Sequence, residues 1–440
     1  MEEQAKAMKI CCFLLFLLLL QVSTTASRRS VKYLPGFEGS LPFELETGYI
    51  GVEPDDSQLF YYFIKSQGNP KDDPLILWLT GGPGCSAFSG LVFEMGPLKF
   101  DVEGYNGSLP TLLLNPHSWT QVSSIIFLDA PIGTGFSYAK TSLGALSGDF
   151  IQINQTVQFL RQWLENHPEF MSNQVYIAGD SYSGITVPPI AQKVSEGNEE
   201  GEKPLINLKG CILGNAGTDG VLESNSKIPY VHGKGFISDQ LFQSLKTSCG
   251  GEYTNIDPTN SECLKYMQDY YKCVTGINVV HVLEPLCYFP SVMKCRDYDY
   301  LLSQNWANNK KVREALHIQK GSLKKWIRCN YGINYSRDIV SSVGYHVYLG
   351  NKGFRSLLYS GDHDMVVPFI STEAWIRSLN YSVVDEWRPW FLDAQVGGYT
   401  RTYSNGITFV TVKGGGHTAP EYKPAECFAM FKRWTREDPL

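Results

Sequence analysis

Gln174-Val175-Tyr176-Ile177-Ala178-Gly179-Asp180-Ser181-Tyr182-Ser183-Gly184 is the stretch on which the fold turns. Residues 174–178 form a largely apolar run that reads as a buried strand. Thr186-Val187-Pro188-Pro189-Ile190-Ala191 follows and can open a helix. Strand, tight turn and helix hold Ser181 on a strained corner with its hydroxyl presented at the strand's end. Gly179, Ser183 and Gly184 around it are small, as they must be where the helix approaches the strand closely. Ser-Gly clusters also form plain turns, so the rest of the chain must supply the partners a nucleophilic serine needs.

Other strand-like runs lie at Phe60–Ile64, Leu75–Leu79, Ser124–Leu128, Gly210–Gly214, Ser356–Tyr359 and Ile407–Val412. Several are continuous aliphatic or β-branched runs, as expected of strands covered on both faces. Helical patterns alternate with them, for example Asn154–Glu165 with Val157, Leu160, Trp163 and Leu164 on one side. Alternation of this kind implies an α/β fold with a mostly parallel central sheet. Residues 218–337 differ: they hold most of the cysteines beyond the leader and few strand runs, with helical pieces at Asp239–Leu245 and Lys311–Leu316. They read as a helical, disulfide-tied lid inserted between strands.

A serine nucleophile needs a base, and the base needs an orienting carboxylate. On a sheet of this type they follow in the order Ser, then Asp or Glu, then His. The strand ending at Ser360 runs into Gly361-Asp362-His363-Asp364, where spacing favours neither aspartate over the other. After Asp364 the only histidine is His417, in Gly414-Gly415-Gly416-His417-Thr418-Ala419-Pro420. Three glycines would let that loop bring the imidazole against Ser181. Two backbone N–H groups are expected to receive an oxyanion: that of Tyr182, after the nucleophile, and that of Gly82 in Gly81-Gly82-Pro83-Gly84-Cys85-Ser86. This glycine loop lacks the Lys-Ser/Thr of a phosphate-binding P-loop.

The 440 residues are 43% apolar and 19% charged, which supports a large core and excludes a disordered chain. A net charge of −6 without a basic tract argues against nucleic acid as a partner. Ile10–Leu20 is an apolar run followed by small residues, so residues 1–26 read as a signal peptide cleaved near Ala26. No later run is long enough to span a bilayer, and no membrane partner is expected after cleavage. Four Asn-x-Ser/Thr sequons, at Asn106, Asn154, Asn334 and Asn380, fit a secretory route. Of eleven cysteines, Cys11 and Cys12 lie in the leader. The remaining odd number leaves at least one free thiol, with Cys211 expected to be buried. Cys-x-x-Cys pairs are absent, and neither a metal nor another cofactor is implied.

With these residues in place the chain resembles the serine carboxypeptidases of the α/β-hydrolase superfamily. The matching stretches are Trp78–Ser86, Phe93–Pro97, Asp129–Tyr138, Gly179–Gly184, Gly361–Pro368 and Gly414–Pro420, in family order. The resemblance implies one α/β-hydrolase domain over residues 27–440, with Asp364 as the acid of the triad. It also implies disulfides Cys85–Cys329, Cys249–Cys263 and Cys287–Cys295, leaving Cys273 and Cys427 unassigned. Peptidase members usually carry Asn before the glycine loop and Glu before the serine, and with a second Glu these bind a peptide's terminal carboxylate. Here Thr80 and Asp180 occupy the first two places, while Glu94 is kept. Thr80 and Gly-Asp-Ser-Tyr-Ser-Gly are similar to the plant carboxypeptidase-like acyltransferases. That similarity implies transfer of an acyl group from a 1-O-β-glucose ester to an alcohol, in a secreted or vacuolar compartment. A carboxypeptidase acting on peptides is the alternative. Asp180 and Glu94 are expected to share a proton. Arg328, beside Cys329, is expected either at the rim of the site, contacting the acceptor, or on the solvent surface.

Overall fold

Each of the seven apolar runs becomes a strand of one sheet, because alternate side chains enter two different buried layers. The computed structural model describes residues 29–53, 57–287 and 295–440, and the leader expected over 1–26 lies outside them. The sheet strands are β1 (Arg29–Val31), β2 (Leu45–Val52), β3 (Ser57–Ile64), β4 (Leu75–Leu79), β5 (Ser124–Leu128) and β6 (Val175–Asp180). They continue with β7 (Leu208–Gly214), β8 (Arg355–Gly361), β9 (Val383–Leu392), β10 (Gln395–Tyr403) and β11 (Ile407–Val412). Their spatial order is β1-β2-β3-β5-β4-β6-β7-β8-β11-β10-β9. From β5 to β11 the neighbours are parallel, and the strands at both edges are antiparallel.

Strand β4 shows the period: Leu75, Leu77 and Leu79 enter one layer, Ile76 and Trp78 the other. Helices α1 (Asp149–Asn166) and α2 (Ser183–Glu199) cover the first layer. The helix Pro424–Thr435 closes the second with Met430, Phe431 and Trp434. Helix α2 begins at Ser183, earlier than the sequence suggests, so Pro188 and Pro189 lie inside it. Pro188 has no N–H for the carbonyl of Gly184. That oxygen accepts Ser342 Oγ at 2.8 Å instead, which keeps the helix start intact. The edge strands β2, β9 and β10 escape the reading of apolar runs because glycines, prolines and half-exposed polar residues interrupt them.

The inserted region divides in two. Helices α3 (Gly220–Gly233), α4 (Asp239–Cys249) and α5 (Ser261–Val274) build a separate small apolar cluster around Val231, Leu245 and Met267. The Cys249–Cys263 disulfide ties α4 to α5. Helices α6 (Arg296–Ala307) and α7 (Lys310–Ala315) instead join the core beneath the sheet. Trp306 stacks on Phe88 at 5.1 Å, and Trp326 meets the same ring edge-on at 5.9 Å. A helical lid over the whole of 218–337 is therefore too broad: residues 296–326 pack into the main core. All three implied disulfides are formed, Cys211 and Cys427 are buried free thiols and Cys273 is exposed. The asparagines of all four sequons are exposed.

Truncating the two halves of the insertion should have different consequences. Trp326→Ala removes a fully buried ring from the main core and should cost about 3–5 kcal/mol of global stability. Leu245→Ala should loosen the α3–α5 cluster locally and leave the main transition nearly unchanged. Denaturant titration with hydrogen exchange separates the two; equal global losses would contradict the division.

Candidate active site

The site sits at the carboxyl ends of parallel strands, where side chains from several strands converge in open α/β sheets. Strand β6 ends at Asp180 and the chain turns through Ser181 in the left-handed region, φ 53°. The turn is held from three sides: Ser181 N–H donates to Gly214 O at 3.0 Å, while Gly184 and Gly217 N–H donate to Ser181 O at 3.0 and 2.8 Å. Glycine is required at 179, where a Cβ would collide with the Leu79 carbonyl and the Ser183 side chain.

Strand β8 delivers Asp364 and β11 delivers His417. His417 Nε2 lies 2.7 Å from Ser181 Oγ, and its Nδ1 lies 2.8 Å from Asp364 Oδ2. Asp364 is fully buried and accepts further bonds from Asn215 Nδ2 at 2.9 Å and from the Val366 and Val367 amides. Asp362, the other candidate acid, points elsewhere: it accepts Gly414 N–H at 2.7 Å and lies 2.7 Å from His363 Nδ1. Burial pushes the His417 ring down, but the Asp364 charge and hydrogen bond outweigh it, so the ring sits above the ordinary imidazole value.

Asn215 did not emerge from the sequence. It follows β7 in a left-handed conformation, φ 42°, and its amide also accepts Gly361 N–H at 3.1 Å, joining the β7 and β8 ends. Its position directly after an apolar strand was the available signal, but an Asn there reads as an ordinary turn.

Gly81 lies against the Ser181 corner, since a Cβ there would collide with the Tyr182 amide nitrogen and the Asp180 carbonyl, and Gly82 lines the same cavity as Ser181. The Tyr182 side chain is anchored away from the triad, with its hydroxyl donating to Asp149 Oδ1 at 3.0 Å. Buried Asp129 pins the far side of the glycine loop, accepting Ser86 Oγ at 2.6 Å, Ala87 N–H at 3.0 Å and Phe136 N–H at 2.9 Å. The Cys85–Cys329 disulfide adds residues 328–330 to that loop: Ser86 N–H donates to Arg328 O at 2.7 Å and Asn330 N–H to Gly84 O at 2.8 Å.

Thr80, Glu94, Asp180 and Arg328 all line one cavity of about 500 Å³ with Ser181 and His417. Thr80 Oγ1 accepts Trp78 Nε1–H at 3.1 Å, and Asp180 Oδ1 accepts Gly81 N–H at 3.1 Å. Glu94 Oε2 is buried without a partner. Asp180 and Glu94 line the same cavity, and the Asp180 charge acts on Glu94 through space. Burial, then the charges of Asp180 and Glu421, hold Glu94 well above the carboxylate range, with Arg328 opposing. Burial likewise pushes Asp180 up to about 6 against the pull of His417, the Gly81 amide and Arg328.

Arg328 is a cavity residue, its guanidinium 3.9 Å from the centre of the Tyr300 ring. Around it lies a network the sequence did not reveal. Tyr300 Oη donates to both Glu421 oxygens at 3.1 Å, Arg296 Nη1 donates to Glu421 Oε1 at 3.0 Å, and Arg296 also pairs with Glu284. Arg296 and Tyr300 share one face of α6, but Arg328 and Glu421 come from elsewhere in the chain, so only folding assembles the network.

The sequence model of the serine carboxypeptidase family matches residues 35–437. Serine carboxypeptidase-like 1 of Arabidopsis thaliana is 54% identical over 437 residues, 99% of each chain. Serine carboxypeptidase-like 17 of the same plant is 53% identical over 425 residues, covering 96% of this chain and 97% of its own. Among crystal structures, Kex1(delta)p, a prohormone-processing carboxypeptidase from Saccharomyces cerevisiae, matches with a TM-score of 0.77 at 22% identity, over 93% of this chain and 95% of that one. At that identity the likeness speaks for the fold, an α/β hydrolase. Taken with the match along almost its whole length, the chain belongs to the serine carboxypeptidase family.

Proposed function

We propose that this protein is an acyltransferase that moves an acyl group from a 1-O-β-glucose ester to an alcohol through an acyl-enzyme on Ser181. The observation that carries this reading is the donor side of the cavity. Thr80 Oγ1 already accepts from Trp78, Asp180 already holds Gly81, and Glu94, its carboxyl raised by burial, lines the same cavity. A neutral carboxyl can both donate to and accept from a sugar hydroxyl. A site lacking the asparagine amide and one methylene of the acid grips a peptide terminus less firmly.

In the mechanism, Ser181 Oγ attacks the acyl carbonyl as His417 Nε2 takes its proton, and Asp364 steadies the resulting imidazolium. The Gly82 and Tyr182 amides receive the oxyanion. Collapse expels glucose, whose oxygen takes the proton from His417. The acceptor alcohol then gives its proton to His417 and attacks the acyl-enzyme, releasing the new ester and restoring Ser181 Oγ–H. A serine carboxypeptidase is the second reading, with water as acceptor. Arg328 in the cavity favours it to the extent that a peptide carboxylate needs a cation. Acyl-glucose with pooled alcohols, set against a blocked dipeptide, decides between them: dipeptide cleavage without transfer would overturn the acyltransferase. The disulfides and exposed sequons support passage through the secretory pathway to a secreted or vacuolar location. Among the described residues no helix is long and apolar enough to cross a membrane.

Ser181→Ala and His417→Ala should each lower turnover by about 10⁴-fold or more, because triad members act as a unit; near-normal steady-state turnover in either would refute the assignment. Asp180→Asn should move both limbs of the kcat/KM–pH profile to lower pH. The negative charge of Asp180 raises His417 and Glu94 alike, so its removal lets the base stay neutral, and the acid ionise, at lower pH. An unmoved profile with unchanged donor KM would count against the pair. Arg328→Gln should raise acceptor KM while leaving acylation by the donor nearly intact. Equal losses in both half-reactions would mark Arg328 as a structural tie.

A further inference from the structure

We propose that His281, a residue of the inserted region, is a positioning residue for the base His417. The proposal rests on the triad reading above and concerns what holds the base rather than what the base does. The loop that carries His417 begins with three glycines, and Gly414 has φ 77°. Glycine loses more conformational freedom on ordering than any other residue, so such a loop cannot orient an imidazole unaided. Asp364 fixes the ring through Nδ1, but something else must place the backbone.

That something is the segment Val279–Val282, which follows α5 and runs between the two catalytic loops. Met365 N–H donates to Val279 O at 2.9 Å, Val282 N–H to His363 O at 3.0 Å, and His417 N–H to Val280 O at 2.7 Å. The first two bonds hold the loop of Asp364 and the third holds His417 itself. The His281 side chain completes the clamp. Its Nε2 lies 3.2 Å from Gly414 O, and its Nδ1 accepts Leu283 N–H at 3.3 Å. A carbonyl only accepts, so Nε2 is the donor in this contact. Gly414 N–H is meanwhile held by Asp362 Oδ1 at 2.7 Å. The Gly414 residue is thus gripped at both its N–H and its C=O. The imidazole also closes over Gly416, where a Cβ would collide with His281 Cδ2, Val280 O and the Tyr422 ring.

The same segment faces the ligand. Ile277, Asn278, Val279 and Val280 line the cavity that holds Ser181. One short stretch therefore touches the substrate space on one side and sets the base on the other.

The test is the rate at which a fluorophosphonate labels Ser181, which requires the triad but no natural donor. His281→Phe keeps an aromatic ring and loses both hydrogen bonds; His281→Gln can still present an N–H where Nε2 stood. The Phe variant should label about 10–100-fold more slowly than wild type, and Gln should recover to within about threefold, because small displacements of a base carry large rate penalties. Melting temperature is read in parallel, and His281→Asn, polar but too short to reach Gly414, replaces Phe if that chain fails to fold. Wild-type labelling by the loss variant, or a folded Gln variant as slow as Phe, overturns the proposal. An unlabelled wild-type protein would overturn the triad reading as well, so the two failures are distinguishable.

Discussion

The turn at Ser181 is the constraint around which the molecule is arranged. An L-residue in the left-handed region costs roughly 1–2 kcal/mol, and it persists only where its surroundings over-determine it. Here β7 supplies the Gly214 carbonyl, the following loop supplies Gly217 N–H, and α2 supplies Gly184 N–H. Gly179 and Gly81 are bare because any side chain would strike this corner. The order of the central strands, with β6 between β4 and β7, follows the same need: the oxyanion loop must leave β4 and Asn215 must leave β7 on either side of the serine.

Burial then sets the electrostatics. Glu94 and Asp180 are each only 3% exposed, and neither is paired with a cation at hydrogen-bond distance. Desolvation disfavours their charged forms, and each charge disfavours the other. The result is a site that keeps a proton on a carboxyl at mildly acid pH while His417, supported by Asp364, is raised. Arg328 tempers this from the cavity wall, and the Tyr300–Glu421–Arg296–Glu284 chain holds that wall in place. A buried polar network of this kind rigidifies only when each member is satisfied. Glu94, whose Oε2 is buried without a partner, lies outside that network.

The inserted region has two roles because its two halves bury different surfaces. Residues 296–326 contribute large aromatic rings to the main core. Residues 220–282 bury a small cluster of their own and reach the body through Met365, Phe369 and Ile370. Their last turn touches both catalytic loops. The part of the chain with least core of its own thus reaches both the cavity and the two catalytic loops.

Much of this was legible in the sequence because it depends on local pattern. The seven central strands stood out because strands buried on both faces must be continuously apolar. Ser181, His417 and the glycine loop stood out because a strained corner and a close backbone approach admit few residue types. Thr80, Glu94 and Asp180 were implied by the family resemblance, and all three line the cavity. What pattern could not decide was pairing at a distance. Asp362 and Asp364 are two residues apart on one loop, and only the packed loop turns Asp364 toward His417 while Asp362 takes Gly414. The edge strands were missed because a half-exposed strand needs no apolar run. Asn215, Asp129, Glu421 and His281 each look like an ordinary loop or helix residue. Their environment is made by chain segments tens to hundreds of residues away. Local sequence determines which backbone shapes are affordable; tertiary packing alone decides which side chains share a low-dielectric space, and therefore which of them can act on one another.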